Sequence, residues 1–367
     1  MKSNKLIIFT IVTIAVILAA TMMSRHRAPT SAVEKQLLFP GLADKVNNVG
    51  SIGLTKQEKS LTLVLQDKQW VIQEADNYPA NFGKVRATVI AIAELLVLAE
   101  KTSNAELYKK LGVEEPSATN ADSLQLSLLD TSGNSLAALI VGNPRHSKSA
   151  EDKPGLYVRL ANAQAALLVE GRLDVSAEVR DWFERSLFSI DANRIKHIHI
   201  AHADGSTVTL SRKADIDDFT LQDLPAGKEM QSNVIISRMG TLLEDVAVDN
   251  VMQADKLAGT EQTTATIHTF DGLLITIVSA VVGEDNYATF SFAADDSMST
   301  AAEEQSEKEA TTTASDKPGP AQEAASLNKL MSGWAYAIPS FKFELFTRKL
   351  EQLSKDAGTT DESSDES

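Results

Sequence analysis

One pattern is written twice in this chain, and it limits the fold more than any single motif does. In the first copy, from Asn48 to about Leu98, Ile52 and Leu54 precede Leu61-Thr62-Leu63, then Trp70-Val71-Ile72, then Tyr78-Pro79-Ala80. In the second, Ile198 and Ile200 precede Val208-Thr209-Leu210, Phe219-Thr220-Leu221 and Leu224-Pro225-Ala226. The offset between copies stays at roughly 146 to 150 residues. Each copy continues into an apolar stripe, Val85, Val89, Ile92 and Leu96 in the first and Ile235, Met239, Leu242 and Val246 in the second. Both stripes step by 4, 3 and 4 residues, which is one face of an α-helix. A chain of 367 residues holds about two domains of ordinary size, which suits two copies of one unit.

Within each copy the short-range signals are those of antiparallel hairpins. Leu61, Leu63 and Leu65 alternate with polar residues, and Gln66-Asp67-Lys68-Gln69 turns the chain back into Trp70 and Ile72. Leu124, Leu126 and Leu128 alternate in the same way, with Asp130-Thr131-Ser132-Gly133 as the turn before Leu136 to Val141. In the second copy, Asp204-Gly205 and Asp271-Gly272 are strong turn signals. A helix from about Val85 to Glu100, helical segments through Val175, Trp182 and Leu187, and an amphipathic helix through Phe343 and Leu353 are also expected. The fold class predicted is α+β: two similar units of antiparallel sheet with packed helices, preceded by one transmembrane helix. The units are expected at 48–190 and 194–354. A low-complexity insertion at 295–326, rich in Ala, Ser, Thr and Glu, lies within the second and is expected to be disordered. After it, Gly333 through Pro339 is matched to Gly155 through Ala161. Residues 355–367 form an acidic tail.

The N-terminus predicts the compartment. Lys2 and Lys5 precede 18 uncharged residues, Leu6 to Met23, and Arg25-His26-Arg27 closes the run. At 1.5 Å per residue this covers roughly 27 Å, enough for a bilayer core. A cleaved signal peptide is the competing reading, with Ala19 and Ala20 as small residues, but the run exceeds a usual h-region and no small-x-small site follows. Residues 1–27 are therefore expected to be an uncleaved signal anchor, 28–47 a linker, and the bulk of the chain to lie in the periplasm as a single-pass inner-membrane protein. The formal net charge of −15, from 35 basic and 50 acidic residues, argues against a nucleic-acid partner. The absence of cysteine removes disulfides and thiolate metal sites.

The order strand, Trp-x-Ile, Pro-Ala, long helix, Leu111-Gly112-Val113 with Pro116, and Val141-Gly142-Asn143 before Gly155-Leu156-Tyr157-Val158 resembles the bacterial family catalogued as domain of unknown function 4340. The resemblance covers about 48 to 354, apart from the insertion. It implies a single-span envelope protein, of a family often associated with ABC-type export systems of the gliding or auxiliary-transport kind, and it implies no catalytic residues. The second copy departs from the pattern: Phe219 replaces Trp, and nothing matches Leu-Gly-Val.

The sharpest candidate site is His197-Ile198-His199-Ile200-Ala201-His202. On a strand, His197 and His199 project from one face, as two metal ligands require, so His197, His199 and His202 are the candidate metal residues. The structural alternative is a solvated strand face with Ile198 and Ile200 in the core. The matching first-copy residues, Ser51 and Gly53, show that the fold does not require imidazoles there. His268, beside Ile267 on a strand, reads as a surface or half-buried residue. Asp215, Asp217 and Asp218 lack the glycine and distal glutamate of a calcium loop and read as a turn. Trp70, Tyr78, Trp182, Trp334 and Tyr336 could line a carbohydrate site, but their spacing fits core positions. The sequence carries no Gly-rich phosphate loop, no His-Glu-x-x-His and no Gly-x-Ser-x-Gly. The function expected is that of a non-enzymatic, cofactor-free, membrane-anchored periplasmic accessory protein of a membrane complex, with an ABC-type transporter permease as partner. A periplasmic module binding glycan or another envelope polymer is the alternative.

Overall fold

The computed structural model describes residues 36–146, 153–222, 224–295 and 318–357. The N-terminal anchor run, most of the insertion and nearly all of the acidic tail lie outside the described residues. In chain order the strands begin with β1 (Gln36–Leu37), β2 (Val49–Lys56), β3 (Lys59–Gln66), β4 (Gln69–Ile72) and β5 (Tyr78–Pro79). A helix, Phe82–Ala93, leads to β6 (Leu96–Thr102). The hairpin β7 (Leu124–Asp130) and β8 (Ser135–Pro144) follows, then β9 (Gly155–Leu160) and β10 (Ala166–Glu170). After β11 (Ser186–Phe188), the second copy opens with β12 (Ile195–Ala201), β13 (Thr207–Ser211) and β14 (Thr220–Leu221). Then come β15 (Lys228–Met230), the helix Asn233–Met239, β16 (Val246–Ala247) and β17 (Asn250–Gln253). The meander β18 (Thr263–Thr269), β19 (Leu273–Val282) and β20 (Asp285–Ala294) precedes the helix Pro320–Met331. The chain closes with β21 (Trp334–Ala337), the helix Ser340–Phe346 and β22 (Ser354–Asp356).

The chain divides into two compact units. The first takes the chain through Gly50, then Leu54–Glu58 and Arg86–Val175; the second takes Ser51–Gly53, Lys59–Val85 and everything from Ser176. In the first unit, antiparallel strands lie in the order β1-β6-β10-β9-β8-β7. Leu126, Leu128, Leu139, Val158 and Val169 are completely buried. The motifs that carry the family resemblance interlock here. Gly112 ends a short helix in the left-handed conformation (φ 66°), and a side chain there would meet Asn143. A Cβ on Gly142 would overlap the Leu111 carbonyl oxygen and lie 2.8 Å from that of Gly112. Arg159, 5% exposed, then fastens the same segment to β9. Its guanidinium donates to the carbonyls of Val113 (3.0 Å) and Ala163 (3.2 Å), pairs with Glu115 (2.5 Å) and lies 4.8 Å over the Tyr108 ring.

In the second unit the main sheet runs β14-β13-β12-β18-β19-β20-β21-β17, and β3, β4 and β5, also in this unit, pair antiparallel with one another. One face of the sheet buries Ile198, Ile200, Leu210, Ile267, Ile275 and Ile277. Aromatic edges complete that core: Phe188 meets Phe290 and Phe292 at 5.2 and 5.4 Å, and Phe290 meets Phe346 at 6.1 Å.

The duplication is visible in strand order. The run β6-β10-β9-β8-β7 of the first unit is matched by β17-β21-β20-β19-β18 in the second, and the hairpin β3-β4 by β13-β14. A finer contact repeats too. Thr131 N–H donates to the Asn48 carbonyl in the first unit, and Phe270 N–H to the Arg194 carbonyl in the second. The order also corrects the alignment made from sequence: β21 takes the place of β10, and it is β20, not Gly333–Pro339, that stands where β9 does.

The α+β expectation is overturned. Among the described residues there are 22 strands and five α-helices, none longer than 12 residues, so the fold is mainly β. The first helix stops at Ala93, where Val85–Glu100 was expected, because Leu96–Thr102 pairs with β10 along its length and with β1 at Leu96 and Val97. Leu, Ala, Glu and Lys favour helix in isolation, but two strand partners override that weak preference. The helix expected near Val179 is a single 3₁₀ turn, the one through Phe343 and Leu353 forms as the α-helix Ser340–Phe346 and then a 3₁₀ turn, and the one near Ile235 ends at Met239. The stretch expected to be disordered through Ser326 is helical from Pro320. Among the described residues no helix is long and apolar enough to cross a membrane.

The interlocked glycines yield a test. Gly142→Ala should destabilise the protein by about 1–3 kcal/mol, because its methyl must push two carbonyls aside in a packed site. Urea melts of the purified chain measure this, with Gly133→Ala, which meets no neighbouring atom but sits at φ 84°, as a strain-only reference.

Candidate functional site: the outer face of the second sheet

Strand pairing assembles a patch that no local stretch of sequence shows. Opposite the apolar face of the second sheet, register places three rows of five side chains across β13, β12, β18, β19 and β20. They read Ser211–His197–His268–Leu274–Ala293, Thr209–His199–Thr266–Thr276–Ser291 and Thr207–Ala201–Thr264–Val278–Thr289. None of the fifteen is a carboxylate, lysine or arginine, in a chain whose formal charge is −15. The patch carries hydroxyls and imidazoles, each able to donate and accept hydrogen bonds.

His197 and His199 share this face, as their spacing predicts, and Ile198 and Ile200 are fully buried behind them. His202 does not join them. Alternation turns it to the opposite side, where it is 9% exposed, and its Nδ1 lies 3.3 Å from Thr263 Oγ1. The structure therefore separates the three proposed metal ligands, and among the described residues no group of three or more His, Asp or Glu is placed to hold a metal ion. Local spacing does not join His268 to this pair, but register sets it directly opposite His197 with ring centroids 5.7 Å apart. His268 Nδ1 lies 3.0 Å from Asp295 Oδ2, and His199 Nδ1 lies 3.0 Å from Thr209 Oγ1. Burial, followed by the charges of His268, His199 and Lys196, holds His197 below the ordinary imidazole range.

The other sequence candidates resolve into structure. Asp217 accepts from Ala214 N–H at 3.0 Å, and Arg212 donates to the Asp215 carbonyl at 2.8 Å, so that acidic stretch is a turn. Trp70, Trp182 and Tyr336 are buried. Tyr78 is half-buried and packs edge-on against Phe183, Trp334 and Tyr336 at 5.5, 4.9 and 6.1 Å. These aromatics build core rather than a binding platform.

A cleft of about 750 Å³ opens at one end of the same sheet, lined in part by Asn193, Arg194, Lys213, Phe270, Asp271 and Glu323. Arg194 organises it, donating to both Glu323 oxygens (2.9 and 2.7 Å) and twice to Asp271 Oδ2 (3.1 and 2.8 Å). Although burial acts against ionisation, bonds from Thr269 and Arg194 hold Asp271 below the usual carboxylate range. The link between Arg194 and Glu323 spans 129 residues and has no local signature. Pro320 and Glu323, as first-turn residues, were the only readable trace of the helix that carries it.

Fold and face together define a duplicated antiparallel β protein whose second sheet presents an uncharged polar surface. The chain belongs to the family described as Domain of unknown function (DUF4340), whose profile matches residues 70–267, just over half of the chain. No curated protein and no solved structure matches it significantly.

The depressed His197 has a pH consequence. Its neutral form is favoured by the fold, so its contribution is complete above about pH 6.5, the unfolded value, and is lost as pH falls through the lower folded value. Urea melts should show stability declining on acidification across this window, with a shallower decline for His197→Gln. An unchanged slope in that variant would assign the dependence to other groups.

Proposed function

We propose that this protein is a non-enzymatic accessory component of a membrane complex. In this reading it is attached to the inner membrane through Leu6–Met23, with both units on the periplasmic side. The observation that carries the proposal is the duplication: one strand order, built twice in one chain, offers two related docking modules. Two modest contacts on one polypeptide reinforce each other through effective concentration. An ABC-type transporter permease is the partner proposed, on the strength of the family resemblance.

Faces suit docking better than edges do. The edge strands of the second sheet, β14 and β17, are two and four residues long, and the Gln253 N–H on β17 is already taken by Asp76 at 3.1 Å. Short, capped edges discourage strand addition from outside. The test is an exchange of the anchor run for an unrelated membrane-spanning sequence. Co-purification with the permease should persist, and deletion of the second unit should abolish it. Loss of the complex on anchor exchange alone would overturn docking through the units.

A second reading, a module for glycan or another envelope polymer, is favoured by the uncharged hydroxyl and imidazole rows. It predicts that a neutral polysaccharide raises the melting temperature of the chain and that Thr266→Lys abolishes the rise.

A further inference from the structure

The helix Pro320–Met331 occupies a position that the first unit fills with a strand. In the first unit, β10 pairs with β9 residue for residue, from Ala166 against Arg159 to Glu170 against Gly155. In the second, β21 pairs with only Tyr287 and Ala288 of the corresponding strand β20. Among the described residues, Thr289–Ala294 has no strand on that side. The helix lies against this stretch, and the Asn328 side chain imitates a strand partner. Its Oδ1 accepts from Phe292 N–H at 3.0 Å, and its Nδ2 donates to the Phe292 carbonyl at 2.6 Å.

The helix is held by a narrow apolar stripe, Ala324, half-buried Leu327 and Met331, and by polar contacts beside it. Of its twelve residues only Ala324 and Met331 are buried, and Leu330 is 65% exposed. A helix this short is marginal on its own, so its attachment rests on tertiary contacts. Beside the apolar stripe, those contacts are the Asn328 pair and the clasp of Glu323 on Arg194, which Asp271 also grips. The clasp belongs to the second copy alone, since Asn48 stands at the position of Arg194 in the first. The chain reaches the helix from Asp295, itself fixed beside the same turn: its N–H donates to the Gly272 carbonyl at 2.8 Å.

We propose that the helix Pro320–Met331 masks a latent strand-pairing edge at Thr289–Ala294, and that its displacement admits an extended peptide segment there as an antiparallel strand. The occupant is a partner segment with the character of β10, apolar and free of proline, because that is what the fold itself accepts at the equivalent place. The six residues Thr-Phe-Ser-Phe-Ala-Ala combine strand-favouring aromatics with little charge, the composition for which an open edge has to be guarded. Asn328 and the Arg194–Glu323 clasp are that guard. This proposal concerns the chain's own residues and stands whether or not the partner is a membrane complex.

The probe is a fluorescent peptide with the sequence of Gln164–Gly171, added to the full chain and to a Glu323→Gln, Asn328→Ala variant. The variant should bind about tenfold tighter than the wild type, with new amide protection confined to Thr289–Ala294. Equal binding by the two, or protection elsewhere, overturns the proposal. A wild-type measurement keeps it testable if the variant folds poorly. In native-state hydrogen exchange, amides of Glu323 through Met331 should exchange about tenfold faster than those of β19, because the helix opens as a separate unit. Equal protection of helix and strand would show that the edge is never uncovered.

Discussion

Register in the second sheet decides what this protein buries and what it shows, because a slip of one residue along β12 would exchange Ile198 and Ile200 for His197 and His199. The aliphatic run on the core side makes such a slip costly. Five adjacent strands must agree, and each buries at least two branched, aliphatic or aromatic side chains on that face. The side on which the outer rows of threonine, serine and histidine stand is thus set by the packing of the opposite face. A surface whose backbone is fixed on a packed sheet is suited to recognition with little backbone ordering cost.

The buried cations of the chain are spent on structure. Arg159 joins three segments of the first unit, and Lys342, 8% exposed, donates to the carbonyls of Thr241 (2.8 Å) and Glu244 at the end of a helical turn. Burial lowers the pKa of Lys342, against the opposing pull of Glu244 and Asp245. Arg212 lies between Phe219 and Phe270, at 4.6 and 5.7 Å, while donating to the carbonyls of Ile195, Asp215 and Ala192. Truncating Arg159 or Lys342 would leave buried carbonyls without a donor, at a cost of about 1–3 kcal/mol for each carbonyl left unsatisfied. These side chains are where sequence reading would look for chemistry, and here they serve as bolts between loops and strands.

The two copies have diverged around a common strand order. The first keeps the full-length strand β10 and the interlocked glycines of Leu111-Gly112-Val113 and Val141-Gly142-Asn143. The second has lost that interlock, shortened the equivalent strand to Trp334–Ala337 and covered the exposed remainder with a helix. Divergence is concentrated where β20 ends, which is also where the insertion leaves the sheet. Changes of this kind are tolerated at the end of a meander, because strand order depends on the central pairings rather than on the connection.

Much was legible in the sequence for a physical reason: period-two alternation and Asp-Gly turns are local signals. They located the β7–β8, β12–β13 and β18–β19 hairpins and the shared face of His197 and His199, while the family was legible from its order of short motifs. Helix lengths were not legible, because Leu96–Thr102 reads as helix until β10, and β1 at Leu96 and Val97, pair with it. Nor was the geometry of the candidate face. His268 lies 71 residues from His197 in sequence, and only the pairing of β12 with β18 brings the rings together, while the same alternation turns His202 away. The clasp of Arg194 on Glu323 joins residues 129 apart. Local periodicity determined which residues face the core, and tertiary pairing alone decided which of the others meet, since contacts between distant segments leave no trace in local sequence spacing.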